Sequence, residues 1–215
     1  MDLITMLKTM LDGMGGTCAI FFLTLLFALP LGMVVALLRM SKVKVISSIT
    51  RAVISVLRGT PLMLQLIAVT YGPYYLFELP VAKNKLIPVV IAFAINYAAY
   101  FAEIYRGGIE SIPRGQYEAA QVLGYTKAQT FFKIILPQMV KRVIPAVTNE
   151  VITLVKDTSL ARTIAIIEIT MAGEAFMKSK GITWPLFYTG VFYLAFVGLL
   201  TLLFSFIERK LSYFK

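Results

Sequence analysis

Histidine is absent from the 215 residues and cysteine occurs once, as Cys18, within an apolar segment. That excludes disulfide frameworks, His-based metal sites and Cys/His nucleophilic chemistry together. Charge is scarce too: 15% of residues are Asp, Glu, Lys or Arg, against about 25% in soluble domains. No Gly-x4-Gly-Lys-Ser/Thr loop occurs, so this chain is not expected to hydrolyse ATP itself and needs no cofactor of its own. Acids are the scarcer sign, 11 against 21 bases. The basic excess does not build a face for nucleic acid; it lies between apolar runs, the pattern that encodes membrane topology.

What is present is apolar length. With 59% hydrophobic residues, the chain reads as one all-α integral membrane domain over residues 1–215. A spanning helix needs about 20 mainly apolar residues. Residues 16–38, 61–79, 86–105 and 185–207 meet that directly, and 143–162 meets it with several polar residues included. The first run is too long for a signal-peptide core and is read as a retained helix. Segment 163–183 is too short and mixed to span, and is expected to form a re-entrant or external helix-turn.

Orientation follows from Lys and Arg. Arg39, Lys42, Lys44, Arg51 and Arg58 occupy one connection, Arg106, Arg114, Lys127, Lys133, Lys141 and Arg142 another, and Arg209, Lys210 and Lys215 the tail. Lys8, Lys83, Lys85, Lys178 and Lys180 face the opposite side, with the acids Asp2, Asp12, Glu78 and Glu174. Fourteen against five places the N-terminus outside and the C-terminus in the cytoplasm, the parity that five spans require.

The longest polar interval, 106–142, contains EAAQVLGYTKAQTFFKIILP at Glu118–Pro137. Its residues predict two short helices with a break. Ser111 is placed to cap the first, with Pro113 in its first turn. Gly124 suits the left-handed position past the helix end. Thr126 caps the second, which Pro137 interrupts. Ala119 and Ala120 offer a small-side-chain surface, and Tyr117, Tyr125, Phe131 and Phe132 carry the aromatic area that interfaces favour. On physical grounds alone, an amphipathic hairpin on the membrane surface fits equally well.

Ionisable groups inside spans are costly and tend to face a cavity or a partner. On 143–162, Asn149, Glu150, Thr153, Lys156 and Asp157 recur at spacings of three, four and seven, forming one broad polar stripe. If that helix enters at Val143, Glu150 lies ~11 Å and Lys156 ~20 Å deep, bracketing the midplane where transporters bind cargo. Asn96 and Tyr100 form a narrower stripe with Glu103, whose simpler role is to pair with Arg106 one turn on. Gln65 is a further pore-facing candidate. A zwitterionic cargo needs a cation for its carboxylate, which Lys156 can supply. It also needs acceptors for its ammonium, from Glu150, Asp157 or Asn149. A Lys156–Asp157 salt bridge is the structural alternative.

The spacing of Glu118, Ala119, Ala120, Gly124 and the Ile-x-Leu-Pro at 134–137 resembles the permease subunits of bacterial ATP-binding-cassette importers. RGTPLMLQL at Arg58–Leu66, RGGIESIPRGQ at Arg106–Gln116 and KDTSL at Lys156–Leu160 look like the polar amino-acid branch (histidine, arginine and glutamine permeases). The resemblance implies a type I importer-like fold in the bacterial cytoplasmic membrane. Residues 106–142 then form the coupling loop, with Glu118, Ala119, Ala120 and Gly124 docking on an ATPase. Two copies of that ATPase would bind ATP and Mg. A second permease chain, identical or related, and an external substrate-binding protein complete the machine. The excess of intramembrane acids leans toward a basic amino acid. An ion-coupled secondary transporter or passive channel is the alternative; it leaves the loop signature unexplained. A non-transporting scaffold would leave the polar stripes as helix-packing glue.

Overall fold

The computed structural model of the protein describes residues 3–211, without the side chains of Leu3 and Lys180. Asp2 and Lys215, which count toward the charge bias, lie outside the described residues. Nine α-helices are connected in order among them: α1 (Leu3–Arg39), α2 (Lys44–Gly59), α3 (Leu62–Phe77), α4 (Leu86–Glu110), α5 (Arg114–Val122), α6 (Lys127–Gln129), α7 (Leu136–Asp157), α8 (Ile169–Lys180) and α9 (Trp184–Leu211). A π-helical segment, Thr130–Ile135, joins α6 to α7, and a 3-10 turn, Thr158–Ile164, follows α7.

α4 is the hub. Fifteen of its residues are buried, including Val89, Phe93, Tyr97, Phe101 and Ala102. Lipid tails are as apolar as leucine, so membrane helices associate through close packing rather than hydrophobic expulsion. Gly32 lets α1 make that approach, since a Cβ there would lie 2.8 Å from the Phe101 Cβ and 3.3 Å from the Ala98 carbonyl oxygen. α1 runs 37 residues, ~55 Å, starting well before the expected 16–38 span and ending one residue past it.

The expected second span, 61–79, corresponds to α3, and the basic connection before it folds as α2. α2 and α3 meet at a 106° bend around Thr60-Pro61, because a residue before proline is driven from helical to extended backbone. α3 is then 16 residues, ~24 Å, and ends where Glu78 takes a left-handed conformation (φ 55°). α2 is amphipathic and was not anticipated as a separate element; Arg58 lies in its last turn. By length and composition α1, α4 and α9 can each cross a membrane, and α2 with α3 passes only as a bent pair.

α7 does not begin at Val143. It continues from the polar loop without a break, and Pro137 lies in its first turn. Proline removes the amide that would bond the carbonyl four residues earlier, and the π segment just upstream widens the helix there. The expected interruption is therefore a local change of helix pitch. α8 fills the 163–183 interval and packs on α1 and α9. The fully buried Glu168 caps it: Oε1 accepts from the Met171 amide (2.7 Å) and Oε2 from the Thr170 amide (2.8 Å) and the Tyr193 hydroxyl (3.2 Å).

Candidate functional site

A cavity of about 420 Å³ opens between the α2–α3 bend, α4, α7 and the following 3-10 turn. The bend contributes Thr60, Pro61 and Leu62; α4 contributes Asn96, Tyr97 and Tyr100; α7 contributes Glu150, Thr153 and Asp157; Leu160 closes the end. Spacings of three and four place each helix's contributions on one face. Two carboxylates thus share the cavity, and none of its lining residues is Lys or Arg.

Each wall has a visible support. The Tyr97 hydroxyl donates to Asp157 Oδ2 at 2.7 Å, joining α4 to α7, while its ring stacks on Phe93 (8°, 6.4 Å). Asn96 Nδ2 donates to the Leu57 carbonyl (3.1 Å) and to Gln65 Oε1 (3.0 Å). Gln65 Nε2 donates to the Leu57 carbonyl (2.7 Å) and the Thr60 hydroxyl (2.7 Å). These bonds satisfy backbone groups that the bend leaves without helical partners.

Five of the eight expected path residues therefore meet: Asn96, Tyr100, Glu150, Thr153 and Asp157. Gln65 does not face the cavity; its amide is engaged in fixing the bend. Asn149 and Lys156 are exposed and outside the lining. The reason is angular. At 100° per residue, Glu150, Thr153 and Asp157 fall within a 60° arc of α7, while Asn149 and Lys156 lie on the far edge of the stripe. Sequence reasoning missed Tyr97, whose ring reads as core. It also assigned Arg58 to the membrane interface; its guanidinium carbon lies 4.9 Å from the Tyr100 ring centroid.

Glu103 is outside the cavity and pairs as expected with Arg106 (2.7 Å). Arg106 also reaches Glu110 (2.5 Å), and Arg39 of α1 lies 3.7 Å from Glu103.

The polar loop is a second constructed surface. α5 ends in a Schellman motif: the Tyr125 amide donates to the Ala120 carbonyl, the Gly124 amide to the Gln121 carbonyl, and Gly124 sits at φ +76°. Thr126 forms a capping box with Gln129 (3.2 and 2.9 Å). Ser111 does not cap α5, whose N-cap is Pro113; it ends α4, bonds back to Gly108 (2.7 Å) and receives Arg142 at its carbonyl (2.5 Å) and hydroxyl (3.1 Å). Arg142 thereby pins the loop's two ends together. Glu118, Ala119 and Gly124 are exposed, but Ala120 is 1% exposed, so it packs inward rather than presenting a surface. Val122 and Leu123, which sequence reasoning passed over, are 87% and 72% exposed beside it. A cleft of about 670 Å³ lies alongside, lined by Tyr117, Gln121, Tyr125, Thr126, Lys127, Thr130 and Phe131.

Residues 28–213 match the family described as binding-protein-dependent transport system inner membrane component. The chain is 40% identical over 154 residues to the L-cystine transport system permease protein TcyB of Bacillus subtilis (strain 168), covering 71% of this chain and 64% of that protein. It thus spans just under two thirds of that relative's length. It is 34% identical over 203 residues to the arginine transport system permease protein ArtQ of the same organism, covering 94% and 92% of the two chains. Among solved structures it resembles an amino acid ABC transporter crystallised with histidines (TM-score 0.85, 30% identity, 98% and 99% covered). The inward-facing MetNI methionine transporter shares the fold (TM-score 0.79, 18% identity, 99% and 100% covered).

Proposed function

Because the chain belongs to the binding-protein-dependent transport system inner membrane component family, we propose that it is the membrane-spanning subunit of an ATP-driven importer of a polar, basic amino acid. The observation that carries the cargo class is the cavity lining: two carboxylates and two tyrosine rings, with no cation among them. A cationic side chain is favoured there by charge and by the negative faces of the rings. Resemblance to the histidine, arginine and glutamine permeases supports a polar amino acid, and the acidic lining is what leans it toward a basic one.

In this reading five spans cross the bacterial cytoplasmic membrane, with the α2–α3 pair counted once and the polar α7 counted although its charges weaken its apolarity. The N-terminus faces outside. The Glu118–Pro137 loop docks on a cytoplasmic ATPase, present in two copies and binding ATP and Mg. A second permease chain, identical or related, encloses the path, and a binding protein delivers cargo from outside.

The helical rod gives the coupling a mechanical basis. From Lys127 to Asp157 the chain is continuously helical, so Thr130 at the loop and Glu150 at the cavity are separated by ~30 Å of one element. Displacement of the loop by the ATPase moves the wall that carries Glu150 and Asp157. The Arg142–Ser111 clasp carries the same displacement to α4, which forms the opposite wall. Alternating access follows from rocking these walls against those of the second permease.

The test is ATP hydrolysis by the reconstituted complex in proteoliposomes with binding protein and amino acids added singly. Stimulation by arginine, lysine or histidine is expected. Stimulation by a neutral or acidic amino acid alone would discard the cargo class and keep the machine. A chain that leaves the ATPase rate unchanged overturns the importer reading.

A further inference from the structure

A groove of about 470 Å³ runs between α1 and α4, apart from the polar cavity. Leu23, Phe27 and Leu31 of α1 form one wall, and α4 supplies the other between Leu86 and Ile95. Every lining residue is Leu, Phe, Ile, Val or Ala, so no polar side-chain atom faces it. Its volume falls in the range of about 300–1,000 Å³ that ligand sites occupy. Val90 and Ala94 are buried and form the floor, while Phe27, Ile87 and Ile91 are exposed along the rims. The close approach of Gly32 to Ala98 and Phe101 lies just beyond Leu31 and Ile95 and ends the groove there.

Three features say what fills it. The rise from Leu86 to Ile95 is ~14 Å, matching half of the ~30 Å hydrocarbon core, so the groove is one leaflet long. At 100° per residue, the exposed Ile87, Ile91 and Ile95 point about 170° away from Asn96, Tyr97 and Tyr100 of the cavity. A second permease that completes the cavity therefore leaves this side of α4 to the membrane. An apolar hollow forfeits dispersion contacts while empty, and in hydrocarbon the material at hand to restore them is an acyl chain. The third feature is charge at the mouth. Lys83 and Lys85 immediately precede Leu86, and the sequence holds no acid between Glu78 and Glu103. Lys85 Nζ donates to the Ile164 carbonyl at 3.0 Å, whereas Lys83 is exposed.

We infer that the α1–α4 groove is a binding site for one anionic phospholipid, with an acyl chain in the groove and the phosphate at Lys83. Because α4 also carries Tyr97 and Tyr100, this lipid buttresses the cavity wall from behind. That the isoleucine side meets lipid rests on the two-chain importer reading; the length and chemistry of the groove do not.

The test uses phosphatidylglycerol with a photoreactive diazirine midway along one acyl chain. The permease–ATPase complex is reconstituted with it in phosphatidylcholine nanodiscs, and labelled peptides are mapped by mass spectrometry. Labelling of residues 23–31 and 86–95 should saturate as the probe fraction rises, whereas the exposed α9 residues Leu199 and Leu202 should label in simple proportion. Ile91→Trp fills the groove and should cut its labelling at least about fivefold, and Leu199→Trp should not. Wild type should favour this probe over the matching phosphatidylcholine probe by about fivefold, the worth of one lysine at an anionic headgroup, and Lys83→Gln should bring the two within about twofold. If Ile91→Trp fails to assemble, the saturation curve of the unaltered complex decides alone. Proportional labelling throughout, or a groove still labelled in assembled Ile91→Trp, overturns the inference. An unlabelled groove in a complex that is active as an importer overturns it and leaves the importer reading standing. Saturable labelling of a permease that never alters the ATPase rate keeps the lipid site and overturns the importer reading instead.

Discussion

Gly124 separates two explanations of why this loop tolerates glycine. Its backbone is left-handed at φ +76°, and a Cβ built on it meets nothing within 4 Å. Inside this chain, therefore, the objection to a side chain is conformational and not steric. Forcing an ordinary L residue into that region costs roughly 1–2 kcal/mol, whereas asparagine occupies it more readily through local hydrogen bonding. The Schellman bonds from Gly124 and Tyr125 depend on that conformation, and they set the angle between α5 and the rod that reaches the cavity. Gly124→Ala should weaken ATPase binding by about five- to thirty-fold if docking requires the observed loop shape. Gly124→Asn, although bulkier, should bind nearly as wild type. Titrating labelled ATPase onto the permease in nanodiscs measures both. The reverse order, with Asn weaker than Ala, would refute the backbone argument and show that the partner's surface closes directly on this position.

Asp157→Asn should lower affinity for a basic amino acid at least tenfold while the complex still assembles, because it removes one of two cavity carboxylates; dialysis with radiolabelled arginine reads it. Tyr97→Phe removes the hydroxyl donated to Asp157 at 2.7 Å, and a smaller, few-fold loss is expected in the same assay. Thr126→Ala removes the capping box and should destabilise the start of the rod by about 1 kcal/mol, seen as faster amide exchange at Ala128 and Gln129 with the membrane helices unaffected. Gly32→Leu should prevent α1 from closing on Phe101, so detergent-solubilised yield and melting temperature both fall, whereas the same change at Gly198, which has open space around it, leaves them near wild type.

Much of the fold was legible because membrane helices advertise themselves by apolar length, and α1, α4 and α9 were found where such runs occur. The failures share a cause: the helix ends. Composition marks where a chain can sit in lipid, not where its hydrogen bonding begins. α1 therefore extends to Leu3, and α7 starts well before its apolar portion. Pro61 and Pro137 show why a proline alone is ambiguous. At Pro61 the chain turns through 106°. At Pro137 a six-residue π segment keeps the helix running. Which outcome holds depends on what packs around the proline, and a single sequence does not state that.

The candidate cavity was legible only as a stripe, and a stripe is wider than a wall. The five polar residues of α7 cover more of the helix circumference than one cavity can use, so the neighbours decide which of them face inward. Tyr97 on α4 selects the Asp157 edge by donating to it, and that contact joins residues 60 positions apart. Gln65 illustrates the converse. Alone on an apolar helix it reads as a pore group, because its partners, the carbonyls and hydroxyl exposed by the bend at Leu57 and Thr60, are unpaired only once the bend exists. Arg58 changes role for the same reason. Just before a span that begins at Pro61 it marks a membrane boundary. With the 106° bend it comes to rest over Tyr100, where its charge reaches the cavity. The bend is thus the structural fact from which the reassignment of both residues follows.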